Sequence, residues 1–109
     1  MLNTKNQSVI EALDKCASAC NQCSTACLDE ADVKMLAKCI KLDMDCAAIC
    51  RLTSEMLSRN SEHAKHIIQE CIELCKACAI ECEKHQHMEH CKTCAEACKK
   101  CIEACQNFN

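Results

Sequence analysis

Residues 91–105 read CKTCAEACKKCIEAC, which sets Cys91, Cys94, Cys98, Cys101 and Cys105 at steps of three and four. The same rhythm recurs in Cys16, Cys20, Cys23 and Cys27, and in Cys71, Cys75, Cys78 and Cys82, with a sparser version in Cys39, Cys46 and Cys50. A thiolate is both a nucleophile and a soft metal ligand, so the first question is what would hold so many at this spacing. Steps of three and four mark one face of an α-helix. A strand, with its period of two, would scatter the same cysteines over both faces. Each segment therefore predicts a helix with a sulfur stripe, and polar residues such as Lys92, Glu96, Lys99, Lys100 and Glu103 form the outer face.

Two cysteines at i and i+4 have Cβ atoms roughly 5–6 Å apart and can close on one ion. Such pairs are Cys16/Cys20, Cys23/Cys27, Cys46/Cys50, Cys71/Cys75, Cys78/Cys82, Cys94/Cys98 and Cys101/Cys105; the steps Cys20/Cys23, Cys75/Cys78, Cys91/Cys94 and Cys98/Cys101 link them into chains. Soft thiolates select Cu(I), Zn(II) or iron–sulfur clusters. A four-cysteine zinc site carries a formal double negative charge, and stacking several in one narrow core is poorly solvated and self-repelling. Cu(I) is monovalent. With thiolates bridging neighbouring ions the core approaches neutrality at about one ion per cysteine, a capacity of roughly sixteen. Iron–sulfur binding expects a compact C-x₂-C-x₂-C run followed by proline, and structural zinc expects cysteines that staple loops. An inert thiol core is weaker still, because leucine packs better and does not oxidise.

The elements that position these sulfurs follow from composition. The 109 residues, one domain spanning 1–109, contain no glycine and no proline, so tight β-turns are hard to form and nothing breaks a helix. The fold class is all-α, with helices near 8–28, 32–58, 62–84 and 89–106. Ser8 to Glu11 fits a capping box, Asp29 to Asp32 suits the start of the second helix, and Asn60–Ser61 and 85–89 make the other breaks. Short connections favour an antiparallel up-down-up-down four-helix bundle. One end then gathers Cys27, Met35, Cys39, Cys82 and Cys91 on the seam, with His85, His87, Met88 and His90 beside it, as a mouth of soft and nitrogen donors. The other end collects Val9, Leu13, Leu57, Ile67, Ile68 and Phe108 and should be closed; His63 and His66 lie there as surface residues. Asp43 takes a cysteine-like slot in the second seam. It either meets metal or turns away while Leu42 packs inward, since an unpartnered buried carboxylate is costly. Met44 and Met56 fall off the seam, and Ile40, Leu52, Ile72, Ile80 and Ile102 flank it, filling gaps between helices or an oligomer interface.

A formal net charge of −3 with interspersed signs, and Phe108 as the single aromatic residue, offers no platform for nucleic acid. No apolar run is long enough to span a membrane. MLNTKNQSVIEAL lacks the apolar region and cleavage site of a secretory signal, so the expected location is the cytoplasm, where thiols stay reduced.

The stretch LDMDCAAIC (42–50), the run CIELCKACAIEC (71–82), His85 and His87 ahead of His90-Cys91, and the closing CKTCAEACKKCIEAC together resemble the bacterial cytosolic copper storage proteins, over nearly the whole chain from Cys16 to Cys105. The resemblance implies storage of many Cu(I) ions by inward cysteines without catalysis, in a homotetramer of bundles loaded through a histidine-bearing end. It implies that His85, His87 and His90 stand at that end, with Met35, Met88 and Asp43 as accessory candidates. A Cu(I) metallochaperone, or a thiol-redox or iron–sulfur protein, is the alternative reading. A chaperone needs one exposed, exchangeable site, and a redox centre needs a thiol at a helix N-terminus or a cluster-wrapping loop; neither stands out.

Overall fold

Four α-helices form where the three-four rhythm runs. They are α1 (Thr4–Leu28), α2 (Ala37–Ser58), α3 (Ala64–Glu83) and α4 (Glu89–Gln106), and a short 3-10 turn, Val33–Leu36, precedes α2. The structure, a computed structural model, describes residues 4–108. The first three residues of the N-terminal stretch and the last of the expected 1–109 domain lie outside them. In the antiparallel bundle α1 lies against α2 and α4, and α3 against α2 and α4. The result is a rod of 47 × 19 × 19 Å. No helix among the described residues is long and apolar enough to cross a membrane.

The slender cross-section has a simple cause. Every cysteine is buried, none more than 2 % exposed. The four helices also contribute buried Ala17, Ala47, Ala79 and Ala95, each directly after a seam cysteine. Small side chains at the contact let helix axes approach toward the lower end of the usual 8–10 Å range. Most of the aliphatic packing lies at one end, where Val9, Leu13, Leu57, Ala64 and Ile68 are buried and Phe108 packs against the core. Ile67 is half-buried and His63 and His66 are exposed, as expected. Thr53 and Ser24 sit in the interior without strain because each hydroxyl donates to a carbonyl of its own helix, Ile49 at 2.7 Å and Asn21 at 2.9 Å.

Three sequence expectations are corrected here. The capping box at Ser8–Glu11 is not used, because α1 already runs from Thr4 and Ser8 lies within it. Asp29 to Asp32 does not open α2; the chain makes the 3-10 turn first, and α2 has no acidic residue in its first turn. That turn also corrects the placement of Met35 on the seam. In a 3-10 turn residues i and i+3 eclipse, so Leu36, three before Cys39, takes the buried place at 0 % exposure. Met35 is 54 % exposed. The α2–α3 turn needs no glycine: Asn60 adopts φ 54°. Ser61 N–H donates to the Met56 carbonyl at 2.9 Å and Asn60 N–H to that of Leu57 at 3.1 Å, a Schellman stop. Asparagine tolerates this left-handed geometry better than other residues with a Cβ.

Of the flanking apolar residues, Ile72 is buried and Ile40 and Ile102 pack partly against the core. Leu52 and Ile80 are 42 % and 61 % exposed. Met44 is exposed and Met56 half-buried.

Candidate metal centre

The sulfur stripes of the four helices meet on the axis and interlock. At the aliphatic end Cys50, Cys71, Cys75 and Cys101 form one group whose sulfurs all lie within 4.8 Å of one another. Cys50 and Cys75 are shared with the next group, Cys16, Cys46, Cys50 and Cys75; Cys16 and Cys46 are shared with Cys16, Cys20, Cys46 and Cys98; and Cys20 and Cys98 with Cys20, Cys78, Cys94 and Cys98. Every sulfur pair shared by two groups is therefore a ready bridge. Neighbouring contacts include Cys46–Cys75 at 3.6 Å, Cys94–Cys20 at 3.7 Å and Cys16–Cys98 at 3.8 Å. These are not disulfides, which need about 2.05 Å, and all sixteen thiols are free. An ion with metal–sulfur bonds of about 2.3 Å, as for zinc thiolates, needs sulfurs roughly 3.8–4.0 Å apart in tetrahedral or trigonal coordination. The ladder is already at that spacing.

Toward the mouth the ladder meets Asp43, which is 0 % exposed. The choice left open in the sequence falls to the inward orientation. Cys78 and Cys94 donate S–H bonds to Oδ1 at 3.2 and 3.3 Å and Cys82 at 3.6 Å, while Cys39 reaches Oδ2 at 3.9 Å. Burial, reinforced by the neighbouring Cys94 and Cys78 sulfurs, pushes the carboxyl up to about 10. Without metal the carboxyl is thus neutral and accepts from thiols, which is how the fold tolerates it. Burial likewise pushes the Cys27 thiol up to about 11 and raises that of Cys91. A cation that binds among these groups must displace their protons.

Beyond Asp43 lies the outermost group, Cys23, Cys27, Cys91 and His90. His90 Nδ1 is 3.5 Å from Cys23 Sγ, 3.5 Å from Cys91 Sγ and 3.8 Å from Cys27 Sγ. Its other nitrogen, Nε2, donates to Glu30 Oε2 at 2.8 Å. That carboxylate fixes the proton on Nε2 and leaves the Nδ1 lone pair aimed at the sulfurs, the usual way an outer carboxylate prepares a histidine ligand. The ring is part-exposed, so this group faces both solvent and ladder.

The remaining candidates divide. His85 is buried and its Nε2 pairs with Glu81 Oε2 at 3.4 Å, in a cluster where Glu81 also meets Lys84 at 3.2 Å and Lys38 at 3.9 Å. His87 is exposed, its ring edge-on to that of His85 at 6.5 Å. Met88 is half-buried against the core and Met35 points to solvent. Sequence reasoning missed Glu30 and Glu81. Glu81 carried a signal, standing four residues before His85 on one helical face; Glu30 carried none, because only the tertiary fold brings the α1–α2 connection to α4.

A helical bundle with a continuous thiol ladder, bounded at one end by aliphatic side chains and topped at the other by a carboxylate-held histidine, defines a reservoir for soft monovalent metal ions. A family model described as copper storage protein matches residues 2–109, and the chain belongs to that family. It is 42 % identical over 103 residues to the uncharacterized cysteine-rich protein YhjQ of Bacillus subtilis (strain 168), covering 94 % of each. Among solved structures it is similar to a cytosolic copper storage protein from Streptomyces lividans in a form with five coppers, with TM-score 0.88 and 42 % identity over 94 % of this chain and 92 % of the other. It is also similar to the Cu(I)-bound copper storage protein BsCsp3, with TM-score 0.90 and 40 % identity over 95 % and 97 %.

Proposed function

We propose that this chain stores Cu(I) in the cytosol, holding ions along the whole ladder from Cys23, Cys27, Cys91 and His90 to the Cys50, Cys71, Cys75 and Cys101 group. The observation that carries the reading is the sharing of sulfur pairs between successive groups, because bridging thiolates are what a near-neutral chain of monovalent ions requires. Ions are taken up at the mouth, where the Nδ1 of His90 makes a mixed nitrogen–sulfur site open to solvent. They pass Asp43, whose carboxyl gives up its proton as positive charge arrives. No catalytic step is needed, and the burial of the sulfurs argues against the one exposed site of a chaperone. His85 and His87 serve the mouth from its rim, and assembly as a homotetramer is part of the same proposal.

Anaerobic titration of the reduced protein against a chromophoric Cu(I) chelator tests this. The endpoint is expected at about one ion per cysteine, roughly sixteen per chain. Saturation at one or two ions would rule storage out.

A further inference from the structure

The aliphatic end of the bundle is not fully closed. Between α3 and the end of α4 runs a groove of about 650 Å³, within the ~300–1,000 Å³ of small-molecule sites. Lys65, His66, Gln69 and Lys76 line it from α3 and Gln106 and Phe108 from the end of α4, and Cys105 reaches its wall. Cys105 is 2 % exposed. It is the last sulfur of α4, one helical turn beyond Cys101, which stands in the innermost group with Cys50, Cys71 and Cys75. The groove therefore touches the ladder at the end opposite His90. None of the described residues lining it is acidic, whereas at the mouth Lys38 and Lys84 pair with Glu81, and His90 with Glu30.

We propose that this groove is a docking site for an anionic low-molecular-weight thiol that withdraws Cu(I) from the Cys105 end of the ladder. The proposal rests on the copper-storage reading above. Two ammonium groups that pair with no carboxylate among the described residues, and an imidazole, suit a ligand carrying carboxylates, and they hold its sulfur beside the only cysteine that lines the groove. The exchange is balanced without any redox change. Each incoming thiol forms a bond to Cu(I) as one cysteine–copper bond breaks, that from Cys105 Sγ first, and passes its proton to the cysteine sulfur it displaces, until no bond to the ladder is left. The copper leaves as its thiolate complex, and as the next ion along the ladder moves to Cys105 the proton there passes to the sulfur that ion leaves. The molecule then has a cation-accepting mouth and a separate thiol-served outlet.

The test uses the fully loaded protein and follows copper release to a chromophoric acceptor, with glutathione as the anionic thiol and 2-mercaptoethanol as the neutral one. The double variant Lys65→Glu/Lys76→Glu changes only exposed positions, and Gln106→Trp fills the groove without altering its charge. In the charge-reversed protein, glutathione-dependent release is expected to slow by about tenfold, with the 2-mercaptoethanol rate unchanged, as loss of electrostatic steering implies. Gln106→Trp should slow release by both thiols. Wild-type release rates in both variants, from proteins that still load to about the cysteine count, would overturn the outlet and leave storage intact. A wild-type chain that loads only one or two ions would instead remove the storage reading, and the outlet with it.

Discussion

Loading the reduced protein with Cu(I) is expected to raise its thermal midpoint by more than about 20 °C. The cause lies in what the core lacks when empty. Leu13 and Leu36 are the bulkiest fully buried apolar side chains, and most of the axis is filled by thiols touching at 3.6–4.0 Å. Those contacts are weak, and each small thiol buries less apolar area than a leucine would in its place. An ion bound only by the folded chain adds about 2.7 kcal/mol when its free concentration is a hundred times its dissociation constant. For a domain of this size each kcal/mol moves the midpoint by about 4–8 °C, so the first two ions suffice. Thiols of the unfolded chain also bind copper and reduce the gain, but they lack the preset four-sulfur groups. Calorimetry of the metal-free and loaded forms checks it, and an unchanged midpoint would mean that copper does not enter the interior.

The second large effect concerns the metal-free protein alone. Replacing Asp43 with asparagine is expected to stabilise it at pH 7 by a few kcal/mol, about 4 at most, and to flatten its dependence on pH. In the unfolded chain the carboxyl ionises near 3.8; in the fold it keeps its proton up to about 10. Across that window the unfolded state binds fewer protons, so wild-type stability falls as pH rises from about 4 to about 10. Asparagine keeps the shape and the acceptor for Cys78 and Cys94 but has no proton to lose. Denaturant midpoints of both proteins at pH 5, 7 and 9 measure the difference, and parallel pH profiles would refute it. That an ionisable group so unfavourable to the empty fold occupies the centre of the ladder accords with a role that begins when copper arrives.

Much of this architecture was legible before any coordinate. A three-four rhythm in four segments admits one solution, helices with inward sulfur, and all sixteen cysteines lie where it put them. The mouth and the aliphatic end followed from topology. What the rhythm could not carry were departures from the α-helical period and contacts between distant segments. The 3-10 turn before α2 exchanged Met35 for Leu36, because 120° per residue eclipses positions that 100° sets apart. Asp43 was ambiguous because neither hydropathy nor spacing reveals that four thiols surround its slot. The buried alanine after one cysteine in each helix was visible as a Cys-Ala pair, but its use in drawing the helices together needed the packed bundle. Glu30 is the clearest loss. It reads as one more acid in a polar connection, and only the fold sets it 2.8 Å from the ring it orients.

The central claim is that the ladder is one continuous copper-binding path. Anomalous diffraction at the copper edge, from crystals of the anaerobically loaded protein, tests it most directly. The account predicts a file of copper peaks along the bundle axis, from the His90–Cys27 mouth past Asp43 to the Cys71–Cys101 end, each near two or more of the sulfurs named above. Peaks confined to the mouth, or to surface histidines such as His63 and His87 with a dark axis, would contradict it.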